Sequence, residues 1–170
     1  MSKTRVAVAV SGAGRTLDNL LAHEGQYEIV GIISSSPKAV ANRKALVAKL
    51  PLLLADFNQD QTQTLEIWLK ELKIEWVLLA GFLKPFPSLP SYAGRIVNIH
   101  PALLPKYGGK GMYGMHVHKA VFAAQEAYSG PSVHFVTEHY DEGALIAQYP
   151  IPLAGVSSPE AIAEAVFAAE

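Results

Sequence analysis

The spacing of apolar positions along this chain changes several times, and each change marks an element. Residues 5–10 (Arg-Val-Ala-Val-Ala-Val) and 29–33 (Ile-Val-Gly-Ile-Ile) are short apolar runs rich in β-branched side chains, as expected of strands buried on both faces. Between them Leu17, Leu20 and Leu21 return at helical spacing. The alanine-rich residues 38–50 predict a second helix and Leu52–Leu54 a short buried strand. Leu65, Trp68, Leu69 and Leu72 form an i, i+3, i+4, i+7 stripe with Trp68 in the core. Strands are predicted again at 75–80, ended by Gly81, and at 95–100, ended by Pro101. Strands alternating with helices predict an α/β fold, an open, mostly parallel, doubly wound (Rossmann-like) sheet. From Met115 a helix is expected with Val117, Ala120, Val121 and Ala124 inward. Strands at 132–136 and 144–149 flank the polar turn 137–143, too short a connection for a crossover helix, so this C-terminal edge pair should be antiparallel. Ser158 and Pro159 open a last helix with Ile162, Ala165, Val166 and Ala169 inward.

Composition narrows the function classes. With 170 residues, half of them hydrophobic and 17% charged, the chain can bury a real core as one domain. A net charge of -1, from 14 basic and 15 acidic residues, argues against a polyanion-binding surface and so against a nucleic-acid partner. The absence of cysteine excludes disulfides, thiolate metal sites and cysteine nucleophiles. No signal peptide or membrane-length apolar run is seen, so the expected compartment is the cytoplasm, with no membrane partner.

Ligands of a parallel sheet bind beyond the carboxyl ends of its strands, and three stretches of suitable chemistry fall there. The turn Ser11-Gly-Ala-Gly-Arg-Thr16 joins the first strand to a helix. Its glycines let backbone N–H groups face an anion at the helix start, and Arg15 and Thr16 add a charge and a hydroxyl, although such turns also take glycine for steric reasons. A dinucleotide site would want a third glycine and an acidic residue after the second strand; the chain has Ser34-Ser-Ser-Pro37 there, which favours a monophosphate over NAD. Asn98 and His100 share a strand face before Pro101 and Pro105 turn the chain away. Asp141 lies in the polar turn, where a solvated turn carboxylate is the bland alternative. Together, an amide, an imidazole and a carboxylate suit acyl transfer without a covalent intermediate. Residues 106–114 hold four glycines in nine positions and read as a flexible active-site loop or lid, and the apolar loop 82–87 as a pocket wall. A metal site built from His116, His118, His134 and His139 is a further alternative. His116 and His118 lie about 200° apart on a helix and do not share a face as an i, i+4 pair would.

Asn98-Ile-His-Pro-Ala-Leu-Leu-Pro105, Ser132-Val-His-Phe-Val-Thr137, Asp141-Glu-Gly143, Leu79-Ala-Gly-Phe-Leu83 and Tyr92-Ala-Gly-Arg95 together resemble the formyltransferase family. The resemblance implies a single formyltransferase domain over 1–170 lacking the usual C-terminal tail. It implies transfer of a formyl group from 10-formyltetrahydrofolate, with no metal, to the amine of 5'-phosphoribosylglycinamide in purine biosynthesis. Asn98, His100 and Asp141 would be catalytic, with a protonated His100 and an ion pair that raises the histidine pKa and lowers that of the aspartate. Gly12, Ala13, Gly14, Arg15 and Thr16 would hold the substrate phosphate, and Glu170 its ribose. The folate would lie on Leu83, Lys84, Pro85 and Phe86 and on Val136, Thr137, Glu138, His139 and Tyr140. Leu104–Pro105 matches a bond that is cis in relatives, and His134 a strand position near the site with no role assigned. Partners would be small molecules only, with the chain a monomer or homodimer. Within the family, hydrolysis of the formyl folate, or formylation of methionyl-tRNA or an amino sugar, remains open; from another class, so does a non-catalytic nucleotide- or folate-binding module.

Overall fold

The computed structural model describes residues 2–170 as two compact units, Met1–Val97 (described from Ser2) and Asn98–Glu170. In the first unit β1 (Thr4–Val10), α1 (Arg15–Ala22), β2 (Tyr27–Ser34), α2 (Ala41–Val47), β3 (Leu52–Leu54), α3 (Thr62–Glu71) and β4 (Trp76–Ala80) alternate. A single 3-10 turn, Pro90–Tyr92, then leads into β5 (Ile96–His100). The strand order is β3-β2-β1-β4-β5, and β1 pairs in parallel with both β2 and β4. Val6 through Val10 are all buried, as a strand covered on both faces requires. Val6, Val8, Val10, Leu17, Ile29, Ile32, Ala41 and Ala45 form one cluster, each larger side chain contributing about 1.5–3 kcal/mol by burial. Leu65 and Leu69 anchor α3, while the Trp68 ring lies beside Gly31 of β2, where an added Cβ would come within 2.5 Å of it. Gly31 is therefore a packing residue, and Trp68 is half-buried rather than fully in the core.

The second unit opens with the carboxyl end of β5, which spans the boundary, followed by α4 (Met115–Ala123), β6 (Tyr128–Ser129), β7 (Ser132–Phe135), β8 (Leu145–Gln148), β9 (Ile151–Pro152) and α5 (Pro159–Ala169). Its sheet order is β5-β7-β8, with β7 and β8 antiparallel as expected, and β8 is exposed throughout. The fold is thus the expected α/β type with a mixed sheet and an antiparallel edge. A small antiparallel pair, β6 with β9, was not legible in the sequence because each strand is only two residues long. Val117, Val121, Ile162 and Val166 join α4 to α5, with Ala102 and Leu153 completing the cluster. Ala124, expected inward, is the exposed C-cap of α4, and His118 is buried in the helix instead. Ser158 caps α5 as expected: its hydroxyl accepts the Ala161 N–H at 3.1 Å. The predicted 38–50 helix is shorter, because Ser36, Pro37 and Ala39 are tied into a turn and Lys49 takes a left-handed φ of 56°.

Candidate functional site

The glycine turn of the first unit is built as the sequence implies. Gly14 is the N-cap of α1 at φ 70°, no side chain caps the helix, and Asp18 lies in its first turn. A Cβ on Gly14 would meet Ala41 Cβ at 2.8 Å, so the turn is pressed against α2. Ala41 N–H donates to the Gly12 carbonyl at 3.1 Å, and Lys44 Nζ reaches the Gly14 carbonyl at 2.9 Å and Asp18 at 2.5 Å. Gly12, Ala13 and Arg15 are exposed and Thr16 half-buried. Backbone amides at a helix start, held rigidly by neighbours, are the arrangement that accepts an anion.

Along the 82–86 loop Leu83, Lys84 and Pro85 are exposed, and Lys84 Nζ reaches Asn58 at 3.2 Å. The Phe86 ring is buried against Phe57 and Phe82, with centroids 5.8 and 5.6 Å away, and anchors the loop.

In the second unit the structure brings Asn98, His100 and Asp141 together. Asp141 sits at φ 57°, a left-handed conformation that Asp and Asn tolerate better than most residues. Its carboxylate is the hub. Oδ2 accepts the Gly109 N–H at 2.9 Å and lies 3.5 Å from His100 Nδ1; Oδ1 lies 3.4 Å from Asn98 Nδ2 and 3.3 Å from His134 Nε2. Asn98 Nδ2 also approaches His134 Nε2 at 3.1 Å. His134 Nδ1 donates to the Phe135 carbonyl at 2.8 Å, which leaves Nε2 to accept from Asn98 or, when protonated, to donate to Asp141. Asp141, which the sequence left open as a solvated turn residue, has a side chain only 8% exposed.

The charge state differs from expectation. Burial is the strongest influence on His100 and pushes its pKa below the ordinary 6.5, although Asp141 and the Tyr107 carbonyl pull it up; His134 adds to the lowering. The expected rise in the histidine pKa is therefore corrected: desolvation outweighs the ion pair, and the resting imidazole is neutral at pH 7. Its Nε2–H donates to the Tyr107 carbonyl at 2.8 Å, which leaves Nδ1, beside Asp141, as the basic nitrogen. For Asp141, burial alone would raise the pKa. The His134 hydrogen bond, the neighbouring His100 imidazole and the Gly109 N–H together outweigh it and hold the carboxyl below its ordinary 3.8, so the carboxylate persists.

The turn after β5 is fastened by side chains the sequence did not single out. Ser132 Oγ donates to the Ala102 carbonyl at 2.6 Å and accepts the Leu104 N–H at 3.0 Å, while Gln148 Nε2 reaches Leu104 O and Ser132 Oγ at 2.9 and 2.8 Å. Leu104–Pro105 is cis, as the resemblance implied. The glycine-rich loop is less free than its composition suggested. Tyr107 and Met112 pack on the α4–α5 cluster, and Gly108 is wedged so that a Cβ would lie 2.5 Å from Leu104 and 3.1 Å from Asp141 Cβ. One signal was available for His134 and Ser132: alternation places both on one face of β7. For the Tyr107 carbonyl and the Gly109 N–H there was none, since backbone groups leave no trace in residue type.

Val136 to Tyr140 form the exposed or half-buried turn before Asp141, where Thr137 Oγ1 accepts the His139 N–H at 3.3 Å. Glu170 ends α5, its N–H bonded to Val166 and Phe167. His116 stacks edge-on with Tyr113, and His118 is buried with Nδ1 lacking a hydrogen-bond partner. Among the described residues no group of three or more His, Cys, Asp or Glu side chains is placed to hold a metal ion, so the alternative metal cluster is not assembled. Among them, too, no helix is long and apolar enough to cross a membrane.

Residues 4–170 match the profile of the formyl transferase family. A chloroplastic phosphoribosylglycinamide formyltransferase of Arabidopsis thaliana is 46% identical over 180 residues, covering 97% of this chain and 61% of the relative. The phosphoribosylglycinamide formyltransferase of Haemophilus influenzae is 32% identical over 160 residues, covering 88% of this chain and 73% of the relative. A crystal structure of phosphoribosylglycinamide formyltransferase from Anaplasma phagocytophilum superposes with a TM-score of 0.87 at 26% identity, over 99% of this chain and 81% of that one. This chain spans 56% and 61% of the length of the chloroplastic relatives from Vigna unguiculata and A. thaliana.

Proposed function

This chain belongs to the formyl transferase family, and from that premise we propose that it transfers the formyl group of 10-formyltetrahydrofolate to the amine of 5'-phosphoribosylglycinamide. The observation that carries the reading is the Asp141 cluster, in which a persistent carboxylate, a neutral imidazole and an amide converge. Attack of a neutral amine on the formyl carbon builds negative charge on its oxygen and positive charge on its nitrogen. Asn98 Nδ2 supplies a hydrogen to the oxygen, giving up its longer contact, 3.4 Å to Asp141. His100 Nδ1 takes the proton from the nitrogen, and Asp141 at 3.5 Å stabilises the imidazolium that forms; the same proton then leaves with the folate amine. Donation of Nε2–H to Tyr107 and of the Gly109 N–H to Asp141 holds both groups in place beforehand. No covalent enzyme intermediate and no metal is required.

In this reading the substrate phosphate rests on Gly12, Ala13, Gly14, Arg15 and Thr16, and Glu170 meets its ribose. The folate lies against Leu83, Lys84, Pro85 and Phe86 and against residues 136–140. The support for the phosphate is the rigid, uncapped start of α1. The partners are these two small molecules, the chain acts as a monomer or homodimer, and the compartment is the cytoplasm. The test is incubation of the protein with 10-formyltetrahydrofolate, with and without 5'-phosphoribosylglycinamide, following loss of the formyl folate. Amine-dependent loss is expected. Loss without the amine would assign hydrolysis, and no loss would leave a binding module.

A further inference from the structure

One hydroxyl in the first unit ties together three strand ends. Ser11 follows β1 directly and precedes Gly12. Its N–H donates to the Gly81 carbonyl at 3.3 Å, and its Oγ accepts the Leu83 N–H at 2.8 Å and lies 2.7 Å from Ser35 Oγ. Ser35 in turn donates its own N–H to the Val10 carbonyl at 3.1 Å. The contact between the two serines uses one of their two hydroxyl hydrogens, and the Leu83 N–H occupies a lone pair of Ser11. The ends of β1, β2 and β4 therefore meet at one partly buried oxygen.

This places the glycine turn and the 82–86 loop in one hydrogen-bonded unit. On the turn side Gly12 is bonded to Ala41, and Gly14 is pressed on Ala41 and bonded to Lys44. On the loop side the Phe82 and Phe86 rings, on either side of Leu83, pack together with Phe57, the Phe57–Phe82 pair in edge contact at 4.8 Å. Both flanks are rigid, and the Ser11 hydroxyl is a direct bond between them. An anion that displaces the turn thereby displaces the Leu83 amide, and a ligand that displaces the loop displaces the turn.

We propose that Ser11, backed by Ser35, is a positioning residue that couples phosphate binding at the 12–16 turn to folate binding at the 82–86 loop, so that each ligand tightens the other. This rests on the functional reading above for the identity of the two ligands. One hydrogen bond of ordinary strength sets the coupling at about 5-fold, and linkage requires the factor to be the same in both directions.

The test uses two ligands that do not react together, ribose 5-phosphate and tetrahydrofolate, titrated calorimetrically, each alone and each against the other at saturation. In the unmodified protein each is expected to lower the Kd of the other about 5-fold. Ser11→Ala should bind each ligand alone but lose the coupling, a readout that a general loss of stability would not move selectively. Ser11→Thr, which keeps the hydroxyl, should restore it. Ser35→Ala, which keeps the Leu83 bond but loosens the Ser11 rotamer, should reduce the coupling to about 2-fold, and carries the test if Ser11→Ala does not fold. Full coupling in the alanine variants, or none in the unmodified protein despite binding of both ligands, overturns the inference while leaving the functional reading intact. Failure of the unmodified protein to bind either ligand overturns both.

Discussion

The two units handle polarity in opposite ways. In the first, the buried residues are overwhelmingly apolar, Ser34 being the buried polar residue and Asn42 Oδ1 a buried atom without a hydrogen-bond partner among the described residues, and the candidate ligand contact is made by backbone amides of the glycine turn. In the second, His100, His118, Ser129, Ser132 and His134 are all buried, and His118 Nδ1 and Ser129 Oγ lack hydrogen-bond partners. Burying a polar group costs about 1–3 kcal/mol when it is left unsatisfied, so such groups survive where another requirement holds them. A backbone anion site costs the core little, because its donors are the orphan N–H groups every helix start already has. A proton-transfer site needs desolvated side chains, and it draws on stability to have them.

The largest expected effect strikes the polar unit alone. Asp141→Asn keeps the side-chain shape and tolerates the left-handed backbone at φ 57°, but removes the charge that stabilises the imidazolium. We expect a normal circular dichroism spectrum and a fall of about 10²–10³ in kcat; near-normal turnover would end the role assigned to Asp141. Next comes a matched pair of glycine substitutions. Gly31→Ala would drive a Cβ to 2.5 Å from the Trp68 ring, and Gly108→Ala to 2.5 Å from Leu104 and 3.1 Å from Asp141. Each should cost about 1–3 kcal/mol by overpacking in denaturant titration. Only Gly108→Ala should also lower kcat, and if both did so equally the contrast between the units would fail.

Ser158→Ala removes the cap of α5 and should cost about 1 kcal/mol of stability without changing kcat, read from chemical denaturation alongside steady-state rates. The most gradual signature is in pH. His100 and His118 have pKa values lowered by burial, so the unfolded chain takes up their protons first as pH falls. Their contribution is fully present above the ordinary value of 6.5 and declines below it; that of Asp141, also lowered, is present above 3.8 and declines as pH falls through its folded value. Stability should therefore decrease on acidification from neutrality, and His118→Gln should flatten the part just below pH 6.5 in thermal melts at a series of pH values. An unchanged profile in that variant would show that its burial does not govern the titration.

Read as a sequence, the chain by itself determined the alternation of strands and helices, the antiparallel edge, the Ser158 cap, the glycine turn and the shared strand face of Asn98 and His100. These are local properties: periods of 2 and 3.6, a missing Cβ or a missing N–H are written in residue type and spacing. The tertiary structure decided the rest. It brought Asp141 to Asn98 across 43 positions and to Gly109 across 32, placed the Phe86 ring among Phe57 and Phe82, and made Gly31 the space for Trp68. It also made His100 neutral rather than charged, against the simple expectation for a histidine beside an aspartate. A pKa balances desolvation against partners drawn from distant positions, and no local pattern encodes the depth at which a side chain will lie.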